Sequence, residues 1–280
     1  MASIPGRSKG AASAPVESPA NAAVKQLRKA LRQGELFAGK FWVAESPKLL
    51  DEALRSGLRV PLVYAASSRL REFDAQFAGR FQGEWVPLGE KALESLASLE
   101  SAQGLVALVE RPIVEEDAFF ASQELLVVLD RIQDPGNAGT ILRAAEAFGA
   151  TGMLFLAGSV SGDSPKLLRA SAGSRFRVPV LEGMAAGQFL ERARRDGIHL
   201  FAASPSGEKA LALLDWRFPA ALIVGSEGAG VQTELLRKAE SFRIPTQGVE
   251  SLNAGISAAI ALYAVAAHRD SPAAAHRGPG

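Results

Sequence analysis

Five polar residues sit where apolar runs give way to turns: Asn137, Arg143, Glu227, Ser251 and Asn253. The first two lie in DPGNAGTILRAAEAFG (134–149), directly after the apolar run LLVVLD. On a helix over 138–148, Ala138, Ile141, Leu142, Ala145 and Phe148 share the face that packs inward, and Arg143 points the other way. Gly139, one turn earlier on the same side as Arg143, leaves backbone accessible beside the guanidinium. Two readings stay open. In one, Asn137 caps the helix and Arg143 pairs with Glu146 at i+3 on a wet surface. In the other, a helix N-terminus, an amide and a forked cation converge to hold a phosphate.

The second segment, ALIVGSEGAGV (221–231), is an apolar strand followed by three glycines around an acid. Such a turn suggests close backbone approach to a ligand. The order is G-x-x-G-x-G, which is neither a dinucleotide fingerprint nor a phosphate loop. Glu227 is either a solvated turn residue or a carboxylate that orients an arginine. The third segment, FRIPTQGVESLNAGISAAIALY (242–263), crowds Gln247, Glu250, Ser251 and Asn253 between a strand stopped by Pro245 and a final helix. Asn253 is placed to cap that helix, with Ser251 bonding backbone nearby.

The elements that must position these residues are legible in outline. From residue 125 apolar strands alternate with helical patterns: LLVVLD, a helix over 138–148, GMLFLAG, a helix near 164–172, FRVPV, a helix over 185–196, HLFAAS, ALIVG, a helix over 231–239, SFRIP and a last helix over 254–268. Buried strands alternating with helices indicate a parallel sheet covered on both faces. Ligands of such sheets sit at the C-terminal strand ends, so the loops after Asp130, Val224 and Ile244 are the candidate site. Ahead of this, residues 23–110 read as a smaller α/β domain, with strands FWVAE and PLVYAAS around a helix that ends at Gly57. Its first helix carries an apolar stripe of Val24, Leu27 and Leu31 and a basic stripe of Lys25, Arg28, Lys29 and Arg32. Residues 111–122 are the expected linker, 123–270 the second domain, and 1–22 and 271–280 tails, the first disordered by composition.

The chain has 280 residues, enough for two domains, and 48% apolar content, enough for packed cores. With 31 Lys and Arg against 30 Asp and Glu, no global field selects a polyanion, although a local patch is sufficient. The absence of cysteine excludes thiol catalysis, disulfides and cysteine-ligated zinc. Three histidines, two near the C-terminus, argue against a histidine-rich metal site, and no metal is expected. No spanning segment or signal peptide is seen, so a cytoplasmic protein without membrane association is expected.

Taken together, DPGNAGTILRAAEAFG, IVGSEGAG and RIPTQGVESLNAGISAAIALY, in this order, resemble the three signature motifs of the SpoU (TrmH-like) family of RNA ribose 2′-O-methyltransferases, within the SPOUT class. SPKLLRASAGSRFRVPV (164–180) resembles the segment between the first two motifs, and residues 25–110 are similar to the L30e-type RNA-binding domain that many members carry in front. The resemblance covers 25–268. It implies an α/β fold: a C-terminal parallel-sheet domain with a trefoil knot, preceded by the smaller L30e-like domain, assembled as a homodimer through the knotted domain. It implies S-adenosyl-methionine as cofactor, held largely by backbone at Gly225, Ile244 and Leu252. It places the catalytic arginine at Arg143, with Asn137, Glu227, Ser251 and Asn253 completing the catalytic set. RNA is the implied partner, large-subunit 23S ribosomal RNA before transfer RNA. A catalytically silent RNA-binding module in ribosome assembly is the alternative. Lys25, Arg28, Lys29, Arg32, Lys166, Arg169 and Arg175 are the expected RNA contacts. Two features depart from the family's form: the third motif is one residue shorter between Pro245 and Ser251, and Arg131 stands where a small or polar residue is common.

Overall fold

The computed structural model describes residues 14–96 and 103–269, which form two compact units. The first comprises residues up to 113 together with 163–169; the second comprises 114–162 and 170 onward. The expected C-terminal tail and residues 1–13 of the expected N-terminal tail lie outside the described residues.

The first unit runs α1 (Ala22–Gln33), β1 (Phe41–Ala44), α2 (Pro47–Arg55), β2 (Leu62–Ala66), α3 (Leu70–Phe77), β3 (Glu84–Leu88), α4 (Glu90–Leu96) and β4 (Leu105–Glu110). Its four-stranded sheet has the order β1-β4-β2-β3, with β4 antiparallel to both neighbours and β2 parallel to β3. The helix boundaries follow from local chemistry. Asn21 caps α1 by accepting from Ala23 N–H, and Gly34 ends it at φ 70°. Ser46 caps α2 by accepting from Leu49 N–H, and Pro47 supplies the first helical φ. Val24 and Leu27 of α1 join Phe37, Val43, Tyr64 and Leu108 in one core. Residues 14–22, expected as tail, include Val16, which bridges to Leu88 in parallel.

The second unit runs α5 (Glu116–Ala121), β5 (Leu125–Asp130), α6 (Pro135–Ala147), β6 (Gly152–Leu156), α7 (Pro165–Ala170), β7 (Val180–Met184), α8 (Ala186–Arg195), β8 (His199–Ala203), β9 (Lys209–Ala210), β10 (Ala220–Gly225), α9 (Thr233–Leu236), β11 (Glu240–Arg243) and α10 (Ala254–Arg269), although residues 165–169 of α7 fall within the first unit. Its seven-stranded sheet has the order β7-β6-β5-β10-β8-β11-β9, and every pairing is parallel. All six residues of β5 are buried, which is what coverage on both faces requires. Leu126 and Val128 join a core with Phe119, Phe120, Phe189 and Ile223, and the alternate residues point to the opposite face.

Four local elements differ from the sequence expectation. Within the expected linker, residues 116–121 form α5, because Phe119 and Phe120 bury their rings in the second core. FRVPV does not form a strand as a whole: Ser174–Phe176 is a 3-10 turn, and pairing with β6 starts at Val180, with the Pro179 carbonyl accepting from Met153 N–H. The helix expected over 231–239 shortens to α9. The helix expected over 138–148 starts earlier, at Pro135, because Asp134 and not Asn137 is its cap.

Candidate functional site

The topology sets the location. From β5 the chain builds toward β6 and β7 on one side, while β10, β8 and β11 lie on the other. The C-terminal ends of β5 and β10 are therefore adjacent at the point where strand order reverses, with Asp130 paired to Gly225 in register.

Asp130 is fully buried at that point. Its carboxylate accepts from the Gln232 backbone N–H and from Gln232 Nε2, both at 2.6 Å, and from Arg131 Nε at 3.3 Å. A buried carboxylate demands such partners. Here they tie the residue that follows the glycine turn to the end of β5. The turn itself closes on its own backbone: Gly230 N–H donates to the Ser226 carbonyl at 2.8 Å. A Cβ on Gly225 would lie 2.2 Å from the Gly230 carbonyl carbon and 2.3 Å from the Val231 nitrogen, so only glycine fits there. The close approach at Gly225 is thus between two parts of the chain. Gly228, in contrast, faces open space.

With the turn held in this way, the three loops meet. Asn137 Nδ2 donates to Glu227 Oε1 at 2.7 Å, and Asn253 Nδ2 donates to the same oxygen at 2.6 Å. Asn253 Nδ2 also lies 3.0 Å from Asn137 Oδ1. The amide orientations follow from chemistry. Asn253 Oδ1 accepts from the N–H groups of Gly255 and Ile256 at the start of α10, at 2.9 and 3.3 Å, so its NH₂ must face the carboxylate. Capping and contact with the second loop are one arrangement. Asn137 is relieved of capping because Asp134 Oδ1 accepts from its backbone N–H at 2.8 Å, which frees its side chain for Glu227. Glu227 is therefore held by two amides, and no arginine bonds it among the described residues.

Arg143 is exposed on α6 and has no hydrogen bond or ion pair among the described residues. Its expected neighbour Glu146 is taken by Arg177, whose Nη2 donates to Glu146 Oε2 at 3.1 Å and holds that carboxyl below its ordinary range. Gly139 is buried and offers no accessible backbone beside Arg143. At the start of α10, Gly255 lets the helix pack on α6: a Cβ there would come within 3.2 Å of Thr140 Cγ2.

Two cavities flank the turn. One, of about 470 Å³, opens at the ends of β8, β10 and β11 and is lined by Gly225, Ile244, Ser251 and Leu252 among others. Val224, Phe242 and Leu236 add apolar wall, Glu227 and Glu250 border it, and the lining holds no lysine or arginine. The other, of about 370 Å³, is lined by Arg131, Ile132, Gln133, Asp134 and Asn137, and shares Ser226 to Ala229 with the first. A larger cavity of about 690 Å³ lies at β7 and α8 and contains none of the three loops. Its Arg192 is already paired with Asp117 and Asp196. Among the described residues no group of three or more His, Asp or Glu side chains could hold a metal ion, and no helix is long and apolar enough to cross a membrane.

The expected RNA contacts divide. Lys25 and Arg32 are exposed on α1 and without an ion pair among the described residues. Lys29 pairs with Glu35 at 2.9 Å, both more than half exposed, a contact worth little. Arg28 Nη2 donates to the Pro19 carbonyl at 2.9 Å. Lys166 is exposed. Two of the seven are engaged inside the protein. Arg175 is only 4% exposed and donates from Nε to the Gly162 carbonyl at 3.1 Å, so it serves packing. Arg169 is committed to the buried carboxylate of Glu45 within the first unit. Asp130 and Gln232 were not singled out from the sequence; the one available signal was an acid closing an otherwise apolar strand.

The fold and these loops have counterparts among known proteins. A family model described as the SpoU rRNA Methylase family matches residues 124–263. An uncharacterised tRNA/rRNA methyltransferase of Synechocystis sp. is 33% identical over 89% of this chain and 92% of its own. The 23S rRNA (guanosine(2553)-2′-O)-methyltransferase RlmP of Bacillus subtilis is 29% identical over 89% of this chain and 97% of its own. Among solved structures, the SpoU methyltransferase AviRb of Streptomyces viridochromogenes in complex with AdoMet superposes with a TM-score of 0.78 at 26% identity, covering 90% of this chain and 99% of its own. An AdoMet-bound rRNA methyltransferase of Sinorhizobium meliloti does so with a TM-score of 0.78 at 28% identity, covering 92% and 99%.

Proposed function

The chain belongs to the SpoU rRNA methylase family, and from that premise we propose that it transfers a methyl group from S-adenosyl-methionine to a ribose 2′-OH of RNA, with 23S ribosomal RNA as substrate. The observation that carries the donor assignment is the charge of the larger flanking cavity: its lining has two carboxylates at the border, Glu227 and Glu250, and no cationic side chain. That environment suits a sulfonium compound, and the apolar walls of Val224, Phe242, Ile244 and Leu252 suit an adenine ring. Gly225, Ile244 and Leu252 would hold the donor, which supplies an electrophilic methyl group when bound.

The rest of the reaction falls to this chain's own residues. Arg143 has five donors and no competing partner among the described residues, which suits it to clamp a substrate phosphate and stabilise the developing alkoxide. A guanidinium does not serve as a base, so the hydroxyl proton passes to a substrate phosphate oxygen or to water. Glu227 positions Asn137 and Asn253, and through them ties the glycine turn to the starts of α6 and α10. Ser251, exposed on the wall of the donor cavity, contacts donor or acceptor. In-line transfer then depends on alignment and exclusion of water.

RNA is gripped by the front unit, of L30e type, through Lys25, Arg28, Lys29 and Arg32 on α1, with Lys166. The homodimer and the knot belong to the same proposal. Ile256, Ile260 and Tyr263 recur at i, i+4 and i+7 on α10 and are 52%, 37% and 63% exposed, an apolar face of the kind a second copy covers. A cytoplasmic location follows from the substrate. Mapping of 2′-O-methyl marks in total RNA with and without this gene tests the function. One ribosomal RNA position that loses its mark is expected; an unchanged map contradicts it.

A further inference from the structure

We propose that Arg177 is a positioning residue for Arg143: by occupying Glu146 it keeps that carboxylate from closing on the Arg143 guanidinium, which stays free for RNA. The inference rests on the reading of Arg143 as the clamp on the acceptor nucleotide and adds the device that keeps it available. It begins with α6. Arg143 and Glu146 are three residues apart on this helix, so their side chains are neighbours on one face. An arginine and a glutamate at that spacing attract each other. Glu146 also lies in the last turn of α6, where the carbonyl end of the helix dipole disfavours a carboxylate and no basic residue of the turn offsets it. It needs a cation, and Arg143 is the one its own helix offers.

The fold gives Glu146 to another residue. Arg177 meets it with a fork: Nε donates to Oε1, and Nη2 donates to Oε2 at 3.1 Å. The Ser174 hydroxyl donates to the same carboxylate. Both partners come from one segment. Ser174–Phe176 is the 3-10 turn that packs on α6. Ser174, Phe176 and Val178 are buried, so the backbone is anchored on both sides of Arg177. The Arg177 N–H donates to the Ser174 carbonyl at 3.0 Å, which closes the turn. The side chains of Arg177 and Glu146 are both partly buried, and such a pair is screened less than one in open solvent.

Two arginines thus compete for one carboxylate, and they are not equivalent. A two-pronged contact between guanidinium and carboxylate is stronger than a single one, and it engages both oxygens of Glu146. The outcome is visible at Arg143, which is exposed and has no hydrogen bond or ion pair among the described residues. Without Arg177, Glu146 would keep its charge, and the nearest cation on its helix would be Arg143. RNA would then have to displace the carboxylate from the guanidinium before binding there. Loss of Arg177 therefore lowers the fraction of Arg143 that is ready to bind and leaves the transfer step itself intact.

The test uses transcripts of the RNA segment that mark mapping identifies. Methyl transfer and donor affinity are measured for the wild type, Glu146→Gln, Arg177→Ala, Arg177→Met, and each Arg177 variant combined with Glu146→Gln. Arg177→Ala should raise the KM for RNA by about two- to sixfold, the range for capture of an exposed arginine by one carboxylate, with kcat within about twofold of wild type. Donor affinity should not change. Arg177→Met, which fills more of the vacated space, should behave alike and carries the test if the alanine variant does not fold. Glu146→Gln removes the competing charge, so it should keep the wild-type KM by itself and restore it in the double variants. A wild-type KM for both Arg177 variants, or a fall in kcat at unchanged KM, would overturn the inference alone. So would a loss that Glu146→Gln does not restore, the result expected if Arg177 touched RNA itself or only held the fold. A wild-type protein that methylates no RNA, or full turnover by Arg143→Ala, removes the reading of Arg143 and this inference together.

Discussion

The two cavities on either side of Ser226 to Ala229 share a wall and differ in charge. The cavity bounded by the loop after β11 has no cation in its lining. The cavity bounded by the junction of β5 and α6 has Arg131. A single glycine turn thus separates a cavity whose lining has no cation from one whose lining has a single cation. Glu227 touches both, and its carboxylate is fixed by one amide from each flanking loop, Asn137 on one side and Asn253 on the other. The lesson is that charge sorting is done by the neighbours of the turn, while the turn sets the distance between them.

The sharpest way to separate the two sides is Arg143→Ala. Transfer should fall by at least about a hundredfold, the scale for losing a donor to developing charge. Donor affinity measured by calorimetry should change little. Comparable loss of donor binding would contradict the assignment of Arg143 to the RNA substrate. Next in size is Gly225→Ala, whose methyl group would meet the Gly230 and Val231 backbone. The turn must shift, so donor binding should drop about tenfold or more and stability by about 1–3 kcal/mol, read from a denaturant titration. Normal stability together with normal donor binding would mean the turn does not need its close approach. Glu227→Gln should affect both sides at once but less severely. Each amide loses a charged acceptor, and kcat/KM should fall by about tenfold; an effect confined to donor KM would break the idea of a shared wall. The smallest effect belongs to the surface. Lys25→Ala with Arg32→Ala should weaken RNA binding and reduce the salt slope by about 0.7–0.9 for each charge removed, without altering donor affinity. An unchanged slope would take α1 out of the RNA footprint.

How much of this was legible in the sequence depends on how local the signal was. Strand β5 and helix α10 could be read directly, because each is an unbroken apolar run, one of strand length and one of helix length. The convergence of Asn137, Glu227 and Asn253 could be read only through the family resemblance, since no spacing rule links positions about ninety and a hundred and sixteen residues apart. The helix cap was misplaced by one turn. Asp134-Pro135 is the stronger start signal, and reading Asn137 as the cap hid that its side chain was free for Glu227. The burial of Arg175 is not legible for a different reason: arginines are ordinarily exposed, and nothing local reveals that this one is 4% exposed and bonded to Gly162. The role of Asp130 is not legible locally, because its two shortest hydrogen bonds come from Gln232, 102 residues away.

The central claim is that the cation-free cavity below the glycine turn holds the methyl donor. It is tested most directly by calorimetric titration of S-adenosyl-methionine into the wild-type protein and into Gly225→Ala. The account predicts saturable binding with one donor per chain for the wild type and a loss of about tenfold or more for the variant. No heat of binding in the wild type, or equal affinity in both proteins, would contradict it.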